Sequence, residues 1–123
     1  VVLVDTSVWV YHFRETRDGL VELLNNGEAV CHPFIIGELA CGNLRNRTSI
    51  ISLLAALPMA FLVEHGEVLA FIETHNIVGK GLGYVDVHLL AAALLTGVSL
   101  WTLDKKLDKA AEEFRCRYGQ KAR

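Results

Sequence analysis

The chain reads as an α/β protein, a sandwich of helices around a mainly parallel sheet, and three observations predict it. Short runs of strand character alternate with helical ones: Val1 to Val4, Ala29 to Cys31, Ala60 to Val63 and Val98 to Trp101 are apolar and rich in Val, Leu or aromatic residues. Between them apolar residues recur at intervals of three and four. The connections are short, as strand–helix–strand units require. At 123 residues the chain is long enough for one hydrophobic core and too short for two. The expected domain is 1–118, with a C-terminal tail at 119–123. No internal repeat or low-complexity segment interrupts it.

Taken in order, the first strand leads through Asp5, Thr6 and Ser7 into an apolar helical segment. In "RDGLVELLNNG", Asp18 is placed to cap and Gly27 to terminate. "HPFIIGELACGNLRN" carries Pro33 at a first-turn position, and "SIISLLAALP" starts on Ser49 and stops before Pro58. "GEVLAFIETHN" and "YVDVHLLAAALLTG" follow the same logic, and "KKLDKAAEEFRCRY" reads as a last amphipathic helix. The run "VHLLAAALLTGVSLWTL" is short for a membrane span and contains His88, Thr96, Gly97 and Ser99, so a helix, a Gly stop and a buried strand are expected, with no membrane association. No signal peptide precedes Val1, which predicts a cytoplasmic location, and an initiator Met is absent.

Composition narrows the function classes. An apolar fraction of 52% places the chain among core-rich globular proteins. Cys31, Cys41 and Cys116 are an odd number without metal-type spacing, which fits reduced thiols. Five histidines show no HExxH or related pattern, so a zinc site is not expected; His32 and His88 lie near functional segments in sequence only. A net charge of -2 argues against a broadly basic nucleic-acid surface. A polyanionic partner would need a local basic patch or a bound cation.

Four acids stand out by position. Asp5 ends a buried strand, and ligands of open α/β sheets bind beyond the carboxyl ends of strands. "DTS" before a helix is equally an ordinary cap. Glu38 shares its helix surface with Phe34, Ile35, Cys41 and Gly42, and Asp86 with Leu89, Leu90, Ala93 and Leu94, so both are expected on inward faces. Asp104 follows the last strand, where a cap on the final helix is again the alternative. Asp108, one turn on, either shares that location or is solvated and paired with a neighbouring lysine. Burying carboxylates without compensation costs several kcal/mol each, roughly, or protonates them. A common cation resolves this, and hard oxygen ligands select Mg²⁺ or Mn²⁺.

In this order, "LVDTSVWV", "IIGELACG", "GYVDVHLLAAAL" and "LWTLDKKL" resemble the PIN-domain nucleases, and among them the VapC toxins of toxin–antitoxin pairs. The resemblance covers nearly the whole chain up to Tyr118. It implies a three-layer α/β/α fold with a central parallel sheet. It also implies Mg²⁺- or Mn²⁺-dependent hydrolysis of RNA by a metal-activated water, homodimerisation, and inhibition by a VapB-type antitoxin. Asp5, Glu38, Asp86 and Asp104 occupy the acidic positions, with Thr6, Ser7 and Thr102 as the small polar residues supporting them.

Other signals carry less. "VGKGLG" lacks Walker spacing and reads as a connection into the Asp86 helix, from which Lys80 could reach RNA. Arg14, Arg45, Arg47, Lys105 and Lys106 are expected at the rim, as phosphate contacts or as ordinary surface charges. Trp9 and Trp101 read as core, or as aromatics for stacking a base. The apolar faces of the first helix and of "SIISLLAALP" exceed the needs of a small core, which suggests a partner surface. A receiver-like module needs paired acids after the first strand and an Asp after the third, which "VEHGE" does not supply. An aspartyl phosphatase needs an Asp at position 7, where Ser stands. A PIN-like or receiver-like Mg²⁺-binding regulatory module without nuclease activity remains the alternative.

Overall fold

Backbone pairing puts the first strand in the middle of the sheet. The computed structural model describes residues 1–120. β1 (Val2–Val4) pairs in parallel with β2 (Ala29–Val30) on one side and β3 (Ser99–Trp101) on the other, giving the order β2-β1-β3. Isolated parallel bridges extend both edges, Cys31 to Met59 beyond β2 and Leu100 to Arg117 beyond β3. β1 is buried throughout, as a strand covered on both faces by helices must be.

Seven helices complete the described residues: α1 (Thr6–Arg14), α2 (Asp18–Asn25), α3 (Pro33–Cys41), α4 (Arg47–Ala55), α5 (His65–Thr74), α6 (Tyr84–Thr96) and α7 (Lys105–Glu113). α1 packs on α3 and α3 on α4, while α6 packs on α5, α7 and β3. The result is a three-layer α/β/α arrangement. α6 is apolar nearly all round, and Val87 to Ala93 are buried without a break, so it forms an inner helix packed on β3. No helix among the described residues is long and apolar enough to cross a membrane.

Four local expectations change. Ala60–Val63 is not a strand: Cys31 N donates to Pro58 O and Ala60 N to Cys31 O, after which Phe61 and Leu62 turn outward at 57% and 46% exposure. One bridge at the sheet edge is all that the proline-led segment forms. The last helix stops at Glu113 and not at Tyr118, because Arg115 adopts a left-handed φ of 61° and Cys116 N folds back to Ala111 O. The released segment then pairs with β3 through Leu100 N to Cys116 O and Tyr118 N to Leu100 O. Asp18 is the first residue of α2 and not its cap, a place where its charge still suits the helix dipole. α4 begins at Arg47, two residues before Ser49, behind a left-handed Asn46. Of the expected tail, residues 121–123 lie outside the described residues, and Gln120 is tied to the Glu112 carbonyl.

Candidate active site

The sheet order brings the carboxyl ends of β1 and β3 side by side, where Asp5 N donates to Trp101 O at 2.9 Å. Asp5 stands at the N-cap position of α1, yet its carboxylate makes no capping bond. It is 7% exposed, and its Oδ2 accepts from Ser7 Oγ (2.8 Å) and Thr102 Oγ1 (2.7 Å). The hydroxyls are themselves positioned: Leu103 N donates to Ser7 Oγ at 2.9 Å and Asp104 N to Thr102 Oγ1 at 3.0 Å. A hydroxyl bound to a buried carboxylate contributes about 1.5–3 kcal/mol, so this network stitches both strand ends together. Both hydroxyls go to one oxygen, which leaves Oδ1 uncommitted among the described residues.

Thr6 starts α1 and donates through Oγ1 to Glu38 Oε1 at 2.6 Å, joining α1 to α3. Glu38 is exposed, which corrects the expected inward face: Ile35 and Leu39 take the core side of α3, and Glu38 lies on the flank where Thr6 reaches it. Asp86 is half-buried at the third position of α6, with Oδ2 accepting from Gly83 N at 3.2 Å. Asp104 is exposed and caps α7 through Leu107 N to Oδ1 at 2.9 Å.

Asp86 reports that the acids share one region. Burial raises its pKa; the Gly83 amide opposes this, and the charges of Asp5, Asp104 and Glu38 raise it further. The described ion pairs, Lys80–Glu113, Arg117–Asp108 and Arg117–Glu112, touch none of the four. The donor set, hard oxygens without a cationic neighbour, fits Mg²⁺ or Mn²⁺. The arrangement is gathered but not closed, since no three acid, His or Cys side chains among the described residues stand ready to hold an ion. Each acid instead rests on a protein donor.

Other candidates fall outside this group. Asp108 pairs with Arg117 at 2.8 Å and not with a lysine, and Lys80 is bound to Glu113 at 3.0 Å. Arg47 donates to the Ala40 carbonyl at the end of α3. Arg14 and Arg45 line a single cavity. Trp9 is core, its Nε1 donating to Val4 O; Trp101 is half-buried with its ring against Tyr118. His32 and His88 are buried, with His32 Nε2 and His88 Nδ1 unpartnered among the described residues. Burial, with His88 nearby, lowers the His32 pKa to about 4. Sequence reading missed that His32 caps α3, its Nδ1 accepting from Phe34 N at 3.0 Å. The place just before Pro33 was the available signal. It missed too the contact of His65 Nδ1 with the Tyr84 hydroxyl.

Comparison with known proteins places the chain in a family. A family model described as PIN domain matches residues 2–113. Proteins named Ribonuclease VapC32, from Mycobacterium tuberculosis strains CDC 1551 / Oshkosh and ATCC 25618 / H37Rv, are each 47% identical over 113 residues. The alignment covers 91% of this chain and 91% of each relative.

Proposed function

Because this chain belongs to the PIN-domain family, and within it to the VapC type, we propose that it is a metal-dependent endoribonuclease, the toxin of a toxin–antitoxin pair. The observation that carries the reading is the electrostatic one: Asp86 feels Asp5, Glu38 and Asp104 together, with no ion pair described at any of them. Each acid has a local donor, Asp104 as the cap of α7 and Asp86 at the head of α6, and a cation would offset the repulsion that Asp86 meets from the other three.

In this reading Asp5, Asp86 and Asp104 hold Mg²⁺ or Mn²⁺, and Glu38 completes the set. The cation, when bound, offsets phosphate charge and lowers the pKa of water. The chain does the positioning. Ser7 and Thr102 hold Asp5 by one oxygen and keep the other available. Thr6 orients Glu38, which holds the attacking water in line with phosphorus and takes its proton. Gly83 fixes Asp86 at the head of a buried helix, so the carboxylate cannot swing away. A VapB-type antitoxin and a second copy of the chain are the expected partners, supported by exposed apolar residues such as Leu53 and Phe61.

Cleavage of end-labelled RNA tests this. The parent should cut with Mn²⁺ and stop in chelator. Asp5→Asn and Asp86→Asn should fall to background, and Glu38→Gln should lose about 10²–10⁴-fold. Thr102→Val, which removes the hydroxyl that steadies Asp5 and accepts from Asp104 N, should lose about 10–100-fold. A parent that binds Mn²⁺ and leaves every RNA intact would instead be an ion-binding regulatory module.

A further inference from the structure

We propose that the groove between the end of α1 and the α3–α4 connection binds one nucleotide unit of the single-stranded RNA substrate, a few nucleotides along the strand from the bond that is cut; this rests on the ribonuclease reading. The cavity is about 620 Å³, and Arg14, Arg45, Asn43, Asn46, Phe13 and Val10 line it. That volume lies within the roughly 300–1,000 Å³ of small-ligand sites.

Charge is the first argument. The chain is net negative and the acidic mouth repels RNA, so attraction in the absence of a bound cation must come from a local basic patch. The other described arginines with recorded partners are committed: Arg117 to Asp108 and Glu112, Arg47 to a carbonyl, and Arg17 to the Tyr11 ring. Neither Arg14 nor Arg45 meets a carboxylate among the described residues, and both face the same cavity. Two guanidinium groups lining one cavity favour an anion between them.

The rest of the lining suits a base. The Phe13 ring is 37% exposed, and a nucleobase can stack on it. The Asn43 and Asn46 amides form no hydrogen bond among the described residues and offer both donors and acceptors to a base edge. Position completes the case. One wall continues α1, whose first residue holds Glu38, and the other begins just beyond the end of α3, which carries Glu38. Arg14 lies eight positions along the helix from Thr6, about 12 Å, which roughly two to four nucleotides span.

The test is anisotropy of a fluorescein-labelled mixed-sequence 12-nucleotide RNA, titrated in EDTA across a range of KCl, so that no cleavage is needed. The double variant Arg14→Ala with Arg45→Ala should bind at least about 10-fold more weakly, and its salt slope should shrink by about 0.7, the value for the one phosphate held between the two arginines. Lysine at both positions should restore the slope. Phe13→Leu should weaken binding about 5- to 100-fold with the slope unchanged. A charge-matched control, Lys109→Ala with Arg115→Asn, should leave both near parent. If the control lowers the slope equally, attraction is diffuse and the groove is not a site. If the arginine pair leaves RNA binding intact but abolishes that of a glutamate-rich peptide, the groove is a protein dock and the proposal falls. A parent that cuts RNA with Mn²⁺ but is indifferent to the arginine pair retires the groove alone. A parent with the predicted slopes that never cuts retires the chemistry alone.

Discussion

Asp86 is the residue where stability opposes the role proposed for it. Its folded pKa is raised, so the folded state binds more protons than the unfolded state above the ordinary carboxylate range. Its contribution is therefore favourable at acid pH and lost as pH rises through the folded value. Asp86→Asn removes the charge while its amide oxygen can still accept from Gly83. The metal-free variant should melt higher than the parent near neutral pH, a difference that shrinks in acid; a lower midpoint would mark an ordinary structural Asp. His32 has the reverse sign. Its pKa falls from 6.5 to about 4, so between those values the unfolded chain takes up the proton and the folded one does not. Stability is complete above pH 6.5 and declines toward pH 4, by on the order of 3 kcal/mol. His32→Asn keeps an oxygen that can cap α3 and removes the titration. Urea unfolding across this window should give the variant a shallower pH slope, and equal slopes would remove His32 as the cause.

Among the elements, α6 depends on how it ends. Gly97 holds a left-handed φ of 70°, and a Cβ there would meet nothing within 4 Å. Gly97→Ala should therefore cost only backbone strain, about 1–2 kcal/mol, seen as a lower urea midpoint at constant m. This stop was legible, as were β1, β3 and the positions of Asp5 and Asp104 at strand ends, because apolar runs, glycine and acids mark them locally. Other features were not. The pattern of α7 continues through Phe114, and nothing in a non-glycine residue announces that Arg115 turns left-handed. The apolar run at 60–63 looks like a strand, but only tertiary pairing shows that a single bridge forms. Periodicity gave Glu38 apolar neighbours, while its exposure depends on where Thr6 of a different helix sits. Local spacing likewise left the cap and site readings of Asp5 open. The carboxylate makes no capping bond and is held instead by Thr102, distant in sequence, whose hydroxyl shares Asp5 Oδ2 with Ser7.

For the whole molecule, the parked carboxylates predict strong coupling between metal and folding. An ion that binds only the folded chain at 100 times its Kd adds about 2.7 kcal/mol. Mn²⁺ should raise the parent's thermal midpoint and EDTA should reverse it, while Asp86→Asn should respond far less; equal shifts would place the ion elsewhere. The central place of β1 has another consequence. Its neighbours come from far downstream, and the hydroxyl that steadies Asp5 lies 97 residues away. A nascent chain on the ribosome thus carries Asp5 through the synthesis of all the intervening elements before Asp104 emerges. A fragment that ends before β3 lacks both Asp104 and the strand against which Asp5 is set, so its first acid is made without the partners that fix it.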